Sequence, residues 1–98
     1  MSEGTRDEVI GIVTRTLRRT YSDSNLEGDV AIDTRLAGKS ALLDSLQLVS
    51  FIVDVESEVN AAFGSGIALA DEKAMSREKS PFRSVETLVE YVTELLAE

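Results

Sequence analysis

The chain has 98 residues and a formal net charge of −8, and it contains neither cysteine nor histidine. This length suffices for one small domain over residues 1–98, and a charge of this sign disfavours nucleic acid and anionic membrane surfaces as partners. The missing residue types exclude disulfides, thiol nucleophiles, the commonest base near neutral pH and the commonest metal ligands.

The first predicted element is an amphipathic helix from about Thr5 to Arg19. Thr5 is a predicted cap, and Arg18 and Arg19 are placed in the last turn, where positive charge favours the helix dipole. The apolar stripe recurs at helical spacing and consists of Val9 or Ile10, Val13 and Leu17.

A long connection follows, from about Tyr21 to Leu43, and its polar residues and glycines are turn signals. Val30, Ile32 and Leu36 interrupt it, and we expect them to pin the loop to the core. The alternative is a short strand at Val30 and Ile32, although no partner strand is evident in the sequence. Connections of this length are uncommon unless they serve a function.

The second helix is predicted from Ser45 to about Ala62, with a glycine after it available for a C-terminal cap. Its predicted core stripe consists of Leu48, Ile52, Val55, Val59 and Ala62. A second, shorter stripe beside it consists of Leu46, Val49 and Val53. The acidic residues Asp54, Glu56 and Glu58 are expected toward the other side.

A short third helix is predicted from about Ala70 to Met75, with Asp71 as its cap. The last helix is predicted from about Val85 to Leu96, with Ser84 as its N-cap. Its stripe consists of Val85, Leu88, Val89, Val92 and Leu95. These elements predict an all-α fold, a four-helix antiparallel bundle with a long first loop.

Ser45 is the candidate functional residue, because a hydroxyl where a loop becomes a helix lies beside the positive end of the helix dipole and suits a phosphate group. The simpler interpretation is that Ser45 only caps the helix, since serine is a preferred N-cap. Catalysis by Ser45 would need a base and a group that orients the base. The chain has no histidine, and Asp44 is a poorly placed neighbour, so we expect no enzyme.

Metal binding is not expected either. Asp54, Glu56 and Glu58 alternate, and Asp71 adjoins Glu72, but no calcium-loop pattern is present. A solvated helix face accounts for these carboxylates. The acidic balance of the chain suits a basic protein partner or serves solubility alone.

The chain resembles the acyl carrier protein family. The residues that carry this resemblance are the motif Asp44-Ser45-Leu46, placed after a long first loop and at the start of an amphipathic second helix. The order of helices, the length and the acidity extend the resemblance over nearly the whole chain, as a single carrier domain. Three motif residues alone would be a weak signal, and the combination is much stronger.

The resemblance implies a function and a cofactor. In the family, a phosphopantetheinyl transferase moves 4'-phosphopantetheine from coenzyme A onto the motif serine, here Ser45, and the thiol of that arm carries acyl or aminoacyl groups as thioesters. Asp44 and Leu46 match motif neighbours that help the transferase dock. Basic partner enzymes usually meet the acidic side of the second helix, for which the candidates are Asp44, Asp54, Glu56 and Glu58, with plain solvation as the alternative for the last three.

The chain also departs from the family pattern. Leu42 stands where fatty-acid carriers usually have a glycine, and Gln47 and Ser50 replace acidic residues early in the helix. The segment from Ile67 to Ser84 is longer than in typical fatty-acid carriers. These departures favour a specialised pathway with a dedicated acyl- or aminoacyl-loading ligase and downstream acyl-processing enzymes.

We therefore expect a monomeric acyl carrier protein in the cytoplasm, since the sequence has no apolar signal segment and no run long enough to span a bilayer. The alternative is an unmodified helical interaction module in which Ser45 is a helix cap only.

Overall fold

The computed structural model describes residues 3–38, 41–69 and 82–97. Over these ranges the fold is all-α, with three helices: α1 (Glu3–Asp23), α2 (Ser45–Phe63) and α3 (Val85–Ala97). The all-α class is confirmed. The helix predicted from about Ala70 to Met75, with Asp71 as its cap, lies outside the described residues.

Helix α1 is longer than predicted at both ends. It contains Thr5, so the prediction of Thr5 as the cap is wrong, and it ends at Asp23 instead of Arg19. The apolar stripe accounts for the extra turn, because Tyr21 follows Leu17 by four residues and is equally part of the core. The chain leaves the helix at Asn25, whose φ of 55° lies in the left-handed region. The last turn therefore lacks the basic residues predicted there.

The helix ends show how the three helices are arranged. Thr20 near the end of α1 and Leu46 at the start of α2 line one shallow cleft. Thr5 near the start of α1 lines another with Phe63 at the end of α2 and Leu96 at the end of α3. Helix α1 packs against both other helices and runs opposite to each.

The core is one cluster to which every helix and the first loop contribute. Most of the predicted stripe residues are buried, and Leu36 of the loop is fully buried, as predicted. The prediction for α2 is wrong at Ala62, which is exposed, and it omitted Phe51, which is fully buried. The buried arc of α2 lies between these alternatives, because Phe51 and Val55 follow each other by four residues.

The long loop is fastened to the start of α3. The carbonyl oxygens of Thr34 and Ile32 accept the N–H groups of Val85 and Glu86 at 3.0 and 2.9 Å, and Arg35 forms an isolated antiparallel bridge with Ser84. The Ser84 hydroxyl accepts the N–H of Thr87 at 3.3 Å, which confirms the predicted N-cap. The strand considered at Val30 and Ile32 does not form. These bonds satisfy the free N–H groups of α3 and hold the loop that leads to Ser45.

The end of α2 is a glycine cap, as predicted. Gly64 has φ 62° and ψ 30°, the left-handed conformation that favours glycine, and its N–H donates to the Asn60 carbonyl oxygen. The Asn60 side chain then holds the turn that follows, with Oδ1 accepting the Ile67 N–H at 2.9 Å. Leu69, just beyond, is fully buried.

Candidate functional site at the start of helix α2

A reciprocal pair of hydrogen bonds defines where α2 begins. The Asp44 carboxylate accepts the N–H of Gln47 at 2.8 Å, and the Gln47 side-chain oxygen accepts the N–H of Asp44 at 2.9 Å. This is a capping box with Asp44 as the N-cap and Gln47 at the third helical position. Ser45 is thus the first residue of α2, as predicted, but the interpretation of Ser45 as the cap is wrong.

The Ser45 side chain is exposed to solvent. Because Asp44 supplies the capping oxygen, the helix start does not require the Ser45 hydroxyl. The hydroxyl lies where unpaired N–H groups and the helix dipole make the potential positive, and the first turn of α2 contains no acidic residue. An anionic group bonded to this oxygen would be stabilised there.

The residues on either side of the cap keep the start of α2 in place. Leu43, directly before Asp44, is buried, and Leu48, the fourth residue of α2, packs against the same core cluster. These are the two positions of a hydrophobic staple, which fixes the angle at which a chain enters a helix. Ser45 therefore stands at a rigid corner between a docked loop and a packed helix.

The second apolar stripe of α2 faces outward. Leu46 is 82% exposed, Val49 is 52% exposed and Val53 is 50% exposed, and Leu42, just before the helix, is 44% exposed. We call these four residues the apolar patch. Its side chains lie on the surface beside Ser45, so in this structure they do not line an interior space that could shelter an acyl chain.

The predicted acidic candidates on α2 lie beyond the patch along the helix. Asp54, Glu56 and Glu58 are partly exposed, and the Glu58 carboxylate lies 3.5 Å from the Arg19 guanidinium of α1. Asp44 is exposed but is committed to the cap. Of these four carboxylates, Asp54 and Glu56 are therefore the better placed to meet a partner.

Two further classes of site were sought in the part of the chain that the structure describes. No group of three Asp, Glu, His or Cys side chains there could hold a metal ion. No helix there combines the length and apolar character needed to cross a bilayer.

Comparison with protein-family models, with curated proteins and with solved structures found no match to this chain. The case for a function therefore depends on the residues and geometry at the start of α2.

Proposed function

We propose that this chain is a carrier protein that is modified on Ser45 with 4'-phosphopantetheine and shuttles thioester-bound acyl or aminoacyl groups between partner enzymes in a specialised pathway. One observation carries the proposal. Ser45 is the exposed first residue of α2, and its hydroxyl is not needed for the cap because Asp44 and Gln47 supply it. The sequence resemblance to acyl carrier proteins adds the identity of the modification.

The modification is a phosphoryl transfer in which Ser45 is the acceptor. The Ser45 Oγ forms a bond to the pantetheine-bearing phosphorus of coenzyme A, and the phosphoanhydride bond to the second phosphorus breaks. Adenosine 3',5'-bisphosphate leaves, and the hydroxyl proton passes to a base of the transferase. The transferase supplies the base and the metal ion, so this chain needs no catalytic residues of its own.

The residues of this chain suit that group. The Ser45 hydroxyl would hold the phosphodiester, and the positive end of α2 would stabilise its charge. The arm, once bound, supplies a thiol that forms thioesters, and the chain has no cysteine of its own. The absence of a second thiol leaves the arm as the only point at which cargo can be attached as a thioester.

The finer architecture belongs to the same proposal. A four-helix antiparallel bundle of the acyl-carrier type, with a short helix before α3, fits the long docked first loop and the direction of α1 relative to α2 and α3. Its partners would be a phosphopantetheinyl transferase, a loading ligase that sets the cargo, and downstream acyl-processing enzymes. We place this carrier in the cytoplasm as a monomer.

Intact-mass spectrometry tests the proposal. The purified chain is incubated with coenzyme A, Mg²⁺ and a broad-specificity phosphopantetheinyl transferase, and we expect the mass to increase by one arm. Ser45→Ala should abolish the increase, whereas Ser50→Ala, which removes an exposed hydroxyl on the same helix, should not. An unchanged wild-type mass with several transferases would favour the unmodified interaction module.

A further inference from the structure

The exposed apolar residues of this chain are gathered in one place. Within residues 3–38, 41–69 and 82–97, the large hydrophobic side chains that are exposed are Leu42, Leu46, Val49 and Val53, which are the apolar patch. Scattered exposed leucines and valines are ordinary on a protein surface, but a contiguous group marks an interaction site. All four lie within twelve residues of sequence around Ser45.

The spacing makes the patch continuous. Leu46, Val49 and Val53 follow one another by three and four residues and so share one face of α2 over about 10 Å. Leu42 extends the patch past the helix start, where its Cδ1 lies against Gly28 of the first loop; a Cβ on Gly28 would stand 2.8 Å from that atom. Gly28 thus provides the space that Leu42 occupies.

Charge is missing from the same stretch. The nine residues from Ser45 to Val53 contain no charged residue, although charged residues make up 29% of the chain. The nearest carboxylate before them, Asp44, is held in the capping box. The surface that adjoins Ser45 is therefore apolar, and Asp54 and Glu56 lie at its far end.

We infer that the apolar patch is the surface on which enzymes that act at Ser45 dock, and that these enzymes present an uncharged, apolar rim around their active sites. The inference rests on the proposed function. Leu46 adjoins Ser45 in sequence and Val49 follows one turn later, so an enzyme that encloses the Ser45 hydroxyl must also cover these side chains. Burial of apolar area then provides most of the affinity, and the carboxylates beyond the patch provide little.

The test compares apolar and charge variants as substrates of a broad-specificity phosphopantetheinyl transferase. We expect the double variant Val49→Ser/Val53→Ser to raise KM by about fivefold or more, the loss typical of interface anchors, with kcat unchanged. Asp54→Asn/Glu56→Gln should change KM less than about twofold. The control Ala61→Ser places a serine on an exposed position of α2 beyond the patch and should have no effect.

Salt provides a second readout. Between about 0.1 M and 1 M salt the Debye length falls from ~10 Å to ~3 Å. KM for the wild-type chain should change little over that range. Docking through Asp54 and Glu56 would instead produce a steep rise in KM with salt, and that result would overturn the inference.

Binding without turnover provides a third readout that needs no variant. When transferase is added to the ¹⁵N-labelled chain without coenzyme A, the amide signals of Leu42, Leu46, Val49 and Val53 should shift. A wild-type chain that is modified, with unshifted patch signals and an unchanged KM for the serine variant, would overturn the patch and leave the carrier function intact. A wild-type chain that is never modified would overturn the carrier function itself.

Sedimentation distinguishes the remaining occupant, a second copy of this chain. We expect a monomer for the wild type and for Val49→Ser/Val53→Ser. A wild-type dimer that the double variant dissociates would assign the patch to self-association and would contradict the docking of enzymes.

Discussion

Asp44 and Gln47 satisfy each other's backbone N–H groups across the first turn of α2, at 2.8 and 2.9 Å. The pair closes the helix start without the intervening Ser45, whose side chain is exposed. Capping and presentation of the hydroxyl are thus assigned to different residues, and the two roles can be separated by mutation.

Substitution of the cap should reduce stability, and substitution of the serine should not. We expect Asp44→Ala to lower the free energy of unfolding by about 1 kcal/mol, because the N–H of Gln47 loses its acceptor. Ser45→Ala should change it by less than ~0.5 kcal/mol, as an exposed position does. Urea denaturation of the two variants gives both values, and a larger loss for Ser45→Ala would show that the hydroxyl contributes to the cap.

The facing of α2 predicts opposite outcomes for two adjacent residues. Ile52 is buried and Val53 is half exposed. Ile52→Asp should destabilise the fold by roughly 3 kcal/mol or more, because it buries an unpaired charge. Val53→Asp, the matched control, should cost less than ~1 kcal/mol. Thermal denaturation followed by circular dichroism measures both, and similar melting temperatures would contradict the assigned facing.

The sequence pattern predicted the start of α2 correctly because several local signals coincide there. Asp44 stands before an apolar-periodic run, and Gln47 follows three residues later, which is the pattern of a capping box. The same reasoning misassigned the cap to Ser45, since aspartate and serine are both good N-caps and only the backbone geometry distinguishes them.

The direction of the apolar patch could not be predicted from periodicity. Helix α2 carries two apolar stripes, and a hydrophobic pattern identifies a core face only when the other face is polar. Packing against α1 decided the matter, with Val55 and Val59 turned inward and Val49 and Val53 turned outward. The attachment of the loop to α3 also depends on contacts between distant parts of the chain, such as Ile32 with Glu86, and local sequence carries no signal for them.

Tyr21 predicts a dependence of stability on alkaline pH. Burial raises the pKa of the Tyr21 hydroxyl above its ordinary value of 10.0, because the core disfavours the phenolate. The folded chain therefore holds this proton more tightly than the unfolded chain. Its contribution to stability is complete below about pH 10, where tyrosine in the unfolded chain is neutral, and is lost as pH rises toward the higher pKa of the folded state.

Tyr21→Phe isolates that contribution. Urea denaturation at about pH 8 and about pH 11, on either side of the ordinary tyrosine pKa, should show a larger loss of stability for the wild type than for Tyr21→Phe. Equal losses in the two proteins would mean that the Tyr21 hydroxyl ionises in the folded state as readily as in the unfolded state.

Asn60 holds the turn after α2 through both ends of its side-chain amide. Its Nδ2 donates to the Ile67 carbonyl oxygen at 3.1 Å, and its Oδ1 accepts both the Ile67 N–H and the Ser65 hydroxyl. Asn60→Ala should cost about 1–3 kcal/mol, because partly buried backbone groups lose their partners. Ser65→Ala removes a single hydrogen bond of the same set and should cost about 1 kcal/mol or less. Hydrogen exchange reports the mechanism, since the Ile67 amide should exchange faster in Asn60→Ala than in Ser65→Ala. An Ile67 amide equally protected in both variants, with equal unfolding free energies, would show that the turn is held by the burial of Leu69 instead.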